Sequence, residues 1–205
     1  YSPDTRIGVA YSMKSHIEDM KGDGVLTAVD AVAGQIALPG TVKIRDFQTP
    51  AQLNLGISHQ VGSQWLLAAD LSRIFWKDAM KDIDVAFEAD TGQNIDILLP
   101  QNYKDQTALS LGAAYMTGKW TLRGGARFAT QALRSDTLLA VIPAIPNTFG
   151  SLGFSYQWST ASKVDFAWTH SFEETMENSK LPNTSDPIKV KHSQDSFGLA
   201  YTYRF

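Results

Sequence analysis

Large apolar side chains alternate with small or polar ones along most of the chain, and this period of two predicts β-strands. The last segment is the clearest, because Phe197, Leu199, Tyr201, Tyr203 and Phe205 all fall on one face. Successive side chains of a strand point to opposite faces of a sheet, so each such segment gives one large apolar face and one small or polar face. A helical period of 3.6 residues is almost absent.

The alternation recurs in about eight segments, which predicts an all-β, antiparallel, up-and-down barrel. The segments are 7–14, 51–58, a run from Trp65, 107–115, 120–128, 151–158, 163–169 and 196–205. Connections near 60–64, 116–120 and 158–163 are tight, and Gly62 and Gly118 lie in two of them. Those near 20–40, 88–104, 131–148 and 171–190 are long. Short periplasmic turns alternating with long extracellular loops are typical of outer-membrane barrels, so we expect these four to be extracellular loops.

The composition of the two faces indicates that the apolar face meets lipid. The opposite face is rich in Gly, Ala and Ser and poor in Lys and Glu, whereas a soluble surface carries interspersed charge. Aromatic residues also cluster at the predicted tight turns and at the chain end, as in an interfacial aromatic girdle. The predicted girdle consists of Trp65, Trp120, Trp158, Tyr115, Tyr203 and Phe205.

Charge and cysteine content exclude several other classes. The 18 Lys and Arg are scattered against 21 Asp and Glu, for a formal net charge of −3, so we expect no nucleic-acid partner. The absence of cysteine removes disulfides and thiolate metal sites. The four histidines are far apart in sequence and no nucleophile elbow is present, so we expect no metal site, no cofactor, no catalytic residues and no enzymatic activity.

Several ordered sequence blocks resemble the carboxyl-terminal half of the FadL/TodX family of outer-membrane channels. The terminal Tyr201-Thr202-Tyr203-Arg204-Phe205 also resembles the assembly signal of bacterial outer-membrane proteins. The blocks are Thr5-Arg6-Ile7-Gly8-Val9-Ala10-Tyr11-Ser12, Thr49-Pro50-Ala51 with Leu55-Gly56-Ile57, Gln64-Trp65 with Trp76-Lys77, Asn102-Tyr103-Lys104-Asp105, Leu111-Gly112-Ala113-Ala114-Tyr115 and Trp120-Thr121-Leu122-Arg123-Gly124-Gly125.

The resemblance implies a segment, spanning 1–205, of a fourteen-stranded barrel in the bacterial outer membrane. It implies passive uptake of long-chain fatty acids or other hydrophobic small molecules such as aromatic hydrocarbons. The implied partners are membrane lipid and lipopolysaccharide, the hydrophobic ligand, and the outer-membrane assembly machinery, which would recognise Phe205.

Charged residues on the predicted lumen face have two interpretations. They form a structural ladder of ion pairs and hydrogen bonds, or Arg123, Arg127 or Lys104 offers a cation to the carboxylate of an amphiphilic ligand. The apolar loop 25–38, with Leu26, Val29 and Ile36, is a second candidate contact for greasy ligands. Its alternative is a short helix packed on the barrel rim.

Two other architectures stay open on the sequence alone. One is a self-contained eight-stranded outer-membrane barrel of the OmpW or OmpX kind, with a structural or small-ligand role, in which the first strand would pair with the last. The other is a soluble lipocalin-like binding module, whose aromatic face would point inward.

Overall fold

The computed structural model describes residues 3–30, 34–138, 143–180 and 186–205, with the backbone alone at 28–30. The strands within these ranges are β1 (Thr5–Ser12), β2 (Met20–Asp30), β3 (Gly34–Arg45), β4 (Gln52–Val61), β5 (Trp65–Ile74), β6 (Asp82–Ala89), β7 (Asn94–Pro100), β8 (Gln106–Thr117), β9 (Trp120–Ala129), β10 (Thr148–Gln157), β11 (Ser162–Asn178) and β12 (Ile188–Tyr203). A short helix, α1 (Trp76–Ala79), follows β5, and a 3₁₀ turn spans Ser135–Thr137. None of the helices in the described ranges has the length and apolar character needed to cross a membrane.

Eight of these strands form one antiparallel sheet in the order β1-β4-β5-β8-β9-β10-β11-β12. They are the eight segments that the alternation predicts, so the predicted all-β antiparallel fold is confirmed. Neighbours in this sheet follow one another along the chain except where β2-β3 and β6-β7 intervene, which is up-and-down connectivity.

The two ends of this sheet are β1 and β12. In the described part of the chain β1 pairs with β4 and β12 with β11, and no register joins β1 to β12. Closure between the first and last strands is what a self-contained eight-stranded barrel requires, because an open sheet edge leaves backbone groups unpaired in hydrocarbon. That architecture is therefore not favoured.

The large apolar side chains of the eight-stranded sheet lie on its exposed outer face. Leu152 is 59% exposed, and Phe197 and Tyr201 on β12 are 72% and 65% exposed. A soluble lipocalin would bury these aromatic side chains inside the barrel, so the lipocalin-like alternative is not favoured either.

Three tight turns lie at one end of this sheet. They join β4 to β5, β8 to β9, and β10 to β11, and β12 also ends there. Gly62 and Gly118 occupy the first two turns with φ of +60° and +57°, a left-handed conformation that glycine adopts without steric cost. We refer to this end as the turn end and to the opposite end as the loop end.

The segments near 20–40 and 88–104, which the sequence predicts as loops, contain strands of a second sheet. It has four antiparallel strands in the order β2-β3-β6-β7, so the described residues of the apolar segment 25–38 belong to β2 and β3 and not to a helix. The hairpin was missed because Gly22, Gly24, Pro39 and Gly40 are residues that strands usually avoid.

One face of the four-stranded sheet is apolar and the other is charged. The register aligns Ile44 with Val85, and Val85 with Ile97, on the apolar face. On the charged face Arg45 contacts Asp84 at 3.6 Å and Asp96 at 3.0 Å. Lys43 forms a further ion pair there with Glu88, and hydrogen bonding to Lys43 lowers the pKa of the Glu88 carboxyl below its ordinary value.

Most of the predicted loop 171–190 is strand, because β11 and β12 continue well past the membrane-spanning length of 9–11 residues. At a β-bulge between Ser171 and Glu174, β11 advances by three residues while β12 advances by two. Met176 and Asn178 consequently lie on the inner face, where Asn178 is buried and its amide donates to the Leu138 carbonyl oxygen at 3.2 Å. Residues 139–142 of the predicted loop 131–148 lie outside the described residues. The rest of this segment is irregular apart from its 3₁₀ turn and the start of β10.

The buried hydrophobic core lies at the loop end of the eight-stranded sheet. This core cluster joins β6, the segments 101–105, 131–138 and 143–145, and the ends of β11 and β12. Its buried members are Met80, Ile83, Tyr103, Ala132, Leu133, Leu138, Ile145 and Val190. Side chains tie it to the backbone, since Thr137 donates to the Gln101 carbonyl at 2.6 Å and Gln131 to the Ile145 carbonyl at 2.7 Å. Burial raises the pKa of the Tyr103 phenol.

Candidate functional site

Small side chains line the inner face of the eight-stranded sheet. The register aligns Ala68, Gly112, Gly125, Ser151 and Thr169 in one row that crosses five neighbouring strands. This row lines a cavity of about 980 Å³ on the concave side of the sheet. Because inward side chains here are short, the wall leaves room that the filled interior of a small barrel would not.

The next row toward the turn end contains Arg123, which has small residues on both sides. Arg123 lies between Ala114 and Gly153, and Gly153 lies opposite Ala167. A Cβ atom at Gly153 would stand 2.8 Å from the Phe166 carbonyl oxygen, so the close approach of β10 to β11 requires glycine at this position.

Arg123 belongs to a hydrogen-bonded chain that continues across two strands. Its Nη1 donates to the Ser155 hydroxyl at 2.6 Å, and Ser155 donates to the Asp165 carboxylate. Lys163 Nζ lies 2.9 Å from the other oxygen of Asp165. Ser155 is 4% exposed, so this chain is held inside the wall. It is a structural ladder of the kind the sequence predicts for the lumen charges.

Arg127 also lines the cavity, four residues further toward the loop end, but in different surroundings. Its Nη1 makes one long hydrogen bond, at 3.4 Å, to the Ser110 hydroxyl. Within the described ranges no carboxylate oxygen lies within 4.0 Å of its guanidinium. Phe149 is directly opposite Arg127 on β10 and also lines the cavity.

Phe149 is a lining residue that the sequence prediction missed, because the predicted strand began at Ser151. Extending the same alternation back by two residues places Phe149 on the face of Ser151 and Gly153, which is the signal that was available. Asp70 completes this row on the other side of Ser110, and its carboxylate lies over Gly56, where a Cβ atom would clash with Oδ1.

The other predicted ligand contacts lie away from this cavity. Lys104 is exposed on the segment before β8, at the loop end, where its backbone N–H donates to the Ala132 carbonyl at 2.7 Å. Leu26 and Ile36 are on the four-stranded sheet, opposite Leu38 and Ala28. The side chain of Val29 lies outside the described residues. The structure therefore brings Arg123 and Arg127 together and separates them from Lys104, Leu26 and Ile36.

The predicted girdle residues lie on the outer face at the turn end, and several contact one another. The ring centroids of Trp65 and Tyr115 are 4.7 Å apart, and those of Tyr203 and Phe205 are 5.6 Å apart. Trp120 lies 4.6 Å from Tyr156, which in turn lies 6.2 Å from Trp158. Exposed aromatic rings at one height are the arrangement seen at the interfaces of membrane barrels.

The histidines have separate partners. His59 contacts the Thr5 hydroxyl at 2.8 Å, His170 the Asp195 carboxylate at 2.9 Å, and His192 the Pro143 carbonyl oxygen. Across the described ranges no group of three or more His, Asp or Glu side chains is arranged to hold a metal ion.

Comparison with known proteins identifies the family. The profile of the outer membrane protein transport family (OMPP1/FadL/TodX) matches residues 1–205. Outer membrane protein P1 of Haemophilus influenzae is 26% identical over 216 residues, which cover 100% of this chain and 45% of that protein.

Solved structures of two toluene transporters share the fold. The Ralstonia pickettii toluene transporter TbuX is 38% identical with a TM-score of 0.78, and the match covers 100% of this chain and 45% of TbuX. The Pseudomonas putida toluene transporter TodX is 30% identical with a TM-score of 0.85, and the match covers 100% of this chain and 46% of TodX.

The chain thus spans about half the length of the relatives that it matches. The predicted resemblance is confirmed over the whole sequence, and with it the bacterial outer membrane as the location. The chain belongs to the OMPP1/FadL/TodX family of outer membrane transport proteins.

Proposed function

We propose that this chain forms the carboxyl-terminal half of an outer-membrane channel through which long-chain fatty acids or other hydrophobic small molecules enter the cell passively. The main observation in support is the inner wall of small side chains around a cavity of about 980 Å³. Ligand cavities of proteins reach this size and are lined mostly by apolar groups with a few polar ones that orient the ligand. An inner wall of this kind suits the hydrophobic, uncharged tail of such a ligand.

The open sheet supports the assignment to half of a larger barrel. Within the part of the chain that the structure describes, β1 and β12 each have one unpaired edge, and β12 is exposed on both faces near the turn end. In a membrane such edges must be paired, so further strands would close the barrel around the cavity. The relatives that are described as toluene transporters support a hydrocarbon as one class of ligand.

The remaining partners follow from the outer surface. The exposed aromatic rings at the turn end would contact membrane lipid, and the outer leaflet around the loop end would contain lipopolysaccharide. Phe205, at the end of an alternating strand, would be recognised by the outer-membrane assembly machinery. Lys104 and the hairpin residues Leu26, Val29 and Ile36 would meet ligands outside the barrel, because they lie at the loop end or on the four-stranded sheet.

Narrowing the wall tests the transport function, and two neighbouring alanines on β5 provide a matched pair. Ala68 lines the cavity between Ser58 and Gly112, whereas Ala69 lies on the outer face between Ile57 and Leu111. In the whole channel that contains this chain, Ala68→Phe should lower the uptake of labelled oleate and toluene by about threefold or more, because the ring would fill the passage.

Ala69→Phe is the control, since a ring on the outer face replaces lipid contact and leaves the passage open. Equal uptake by the two variants, at equal amounts of folded protein in the membrane, would overturn the proposal. Passive transport is tested in the same cells: uptake should continue into an energy-depleted cell until inside and outside concentrations match, and a strict requirement for a proton gradient would exclude it.

A further inference from the structure

Two arginines line the cavity, and their neighbours divide them into different chemical roles. Arg123 and Arg127 lie on the same strand and the same face, about 13 Å apart at 3.3 Å per residue. The guanidinium of Arg123 is engaged by Ser155, which in turn binds Asp165. Within the described ranges, the guanidinium of Arg127 has one partner, Ser110, through a long contact.

This difference decides which arginine has donors to offer. A guanidinium carries five N–H donors, and a carboxylate is bound best when two of them reach it in parallel. Arg123 already faces a carboxylate through one hydroxyl, so an added anion would compete with Asp165. Arg127 lines the cavity, and among the described residues its guanidinium donates to Ser110 alone, which leaves further N–H donors for an anion.

The residues beside Arg127 suit the head and first carbons of an amphiphile. Phe149 lies directly opposite it, at the separation of about 5 Å between Cβ atoms that cross-strand pairs have. Toward the turn end the wall continues through Gly125 and Ser151, which leave a smooth surface for an aliphatic chain. Asp70 lies beyond Ser110 on the far side, so its negative charge confines an anionic head to the Phe149 side of Arg127.

We propose that Arg127, with Ser110 and Phe149, binds the carboxylate head of a fatty-acid-like ligand in the lumen, while Arg123 holds the wall together. The inference rests on the proposed transport of hydrophobic molecules and adds a headgroup site for the anionic ones. Neutral hydrocarbons would pass the same wall without engaging Arg127. Asp70 acts as a negative neighbour that weakens the binding of anions.

The test compares a fatty acid with its methyl ester in the whole purified channel in detergent. The two probes share the tail and differ by the charge that Arg127 would bind. Arg127→Gln should weaken binding of a fluorescent fatty acid by about tenfold or more, the size of a lost charge-assisted hydrogen bond, and leave binding of the ester within about twofold.

Asp70→Asn should act in the opposite direction and strengthen binding of the fatty acid alone, because it removes a like charge from the row. Arg123→Gln is the control for wall integrity: it should affect the acid and the ester alike. Unchanged acid binding in Arg127→Gln, or an equal loss for acid and ester, overturns the headgroup site while leaving the transport function intact. If the unaltered channel binds neither probe, the proposed function itself fails and the headgroup site fails with it.

Discussion

Large apolar side chains lie on the exposed outer face of the eight-stranded sheet, whereas Ile44, Val85 and Leu99 of the four-stranded sheet pack against the core cluster. Leu152 on β10 is 59% exposed, and Phe87 on β6 is 3% exposed, although both occupy alternating positions of antiparallel strands. Their opposite faces differ as well. The large sheet turns small residues and the Arg123 ladder inward, and the small sheet presents ion pairs such as Arg45 with Asp96 to the surroundings.

The difference shows that an alternating pattern predicts a strand but not the medium that each face meets. In the eight-stranded sheet lipid covers the apolar face, so burial within the protein is unnecessary there. In the four-stranded sheet the same kind of face must find protein partners, because it lies outside the membrane-spanning strands. The two sheets should therefore respond differently to the same substitution.

The largest contrast is expected for truncation of an apolar side chain. Phe87→Ala should lower the free energy of unfolding of the four-stranded sheet by about 3–5 kcal/mol, because it leaves a cavity in packed protein. Leu152→Ala should cost clearly less, since lipid fills the space. Hydrogen exchange of the β3 and β6 amides, compared with those of β9 and β11, would measure both. Equal losses of protection would contradict the assignment of the two faces.

A charged substitution tests whether the outer face meets lipid and the inner face meets a polar cavity. Leu152→Arg should destabilise the folded channel in liposomes by about 2–4 kcal/mol, the cost of arginine near the middle of a bilayer. Ser151→Arg places the same side chain one residue away on the cavity face, where water and polar groups are accessible, so its cost should be smaller. Urea unfolding in lipid vesicles would compare them, and a costlier Ser151→Arg would show that the faces are reversed.

The smallest effect is expected on the charged face of the four-stranded sheet. Hydrogen bonding to Lys43 lowers the pKa of Glu88 in the folded state. The stabilisation from this pair is therefore present above the ordinary glutamate pKa of about 4.3, and is lost as the pH falls through the lowered value. Because the pair is exposed, the change should be slight.

Exchange rates of the β3 and β6 amides, corrected for intrinsic exchange, should rise as the pH falls through this range in the unaltered protein. Glu88→Gln should remove that part of the pH dependence. A Glu88→Gln variant that keeps the full dependence would show that the Lys43–Glu88 pair does not cause it.

The eight long strands could be predicted because lipid on one side and short side chains on the other impose a strict period of two. The four-stranded sheet could not, because glycine and Pro39 interrupt β2 and β3, and β6, which pairs with β3, lies about forty residues further along the chain. Its strands depend on contacts with the core cluster that no local pattern contains.

The candidate site was predicted in part for a similar reason. The positions of Arg123 and Arg127 on the inner face follow from counting every second residue. Which of them is engaged depends on the register that sets Ser155 beside Asp165, and register joins segments of the chain that the alternation treats separately.

The bulge between Ser171 and Glu174 reverses the alternation of inward and outward side chains along β11. On the turn-end side of the bulge, even-numbered residues such as Trp168 point outward, and on the loop-end side even-numbered residues such as Met176 point into the core cluster. Removing one residue at position 172 or 173 would leave a single residue opposite Ser193, so the ladder would become regular while the side chains on both sides keep their faces. Counting every second residue along β11 alone therefore places only one half of the strand correctly, and the pairing with β12 places the other.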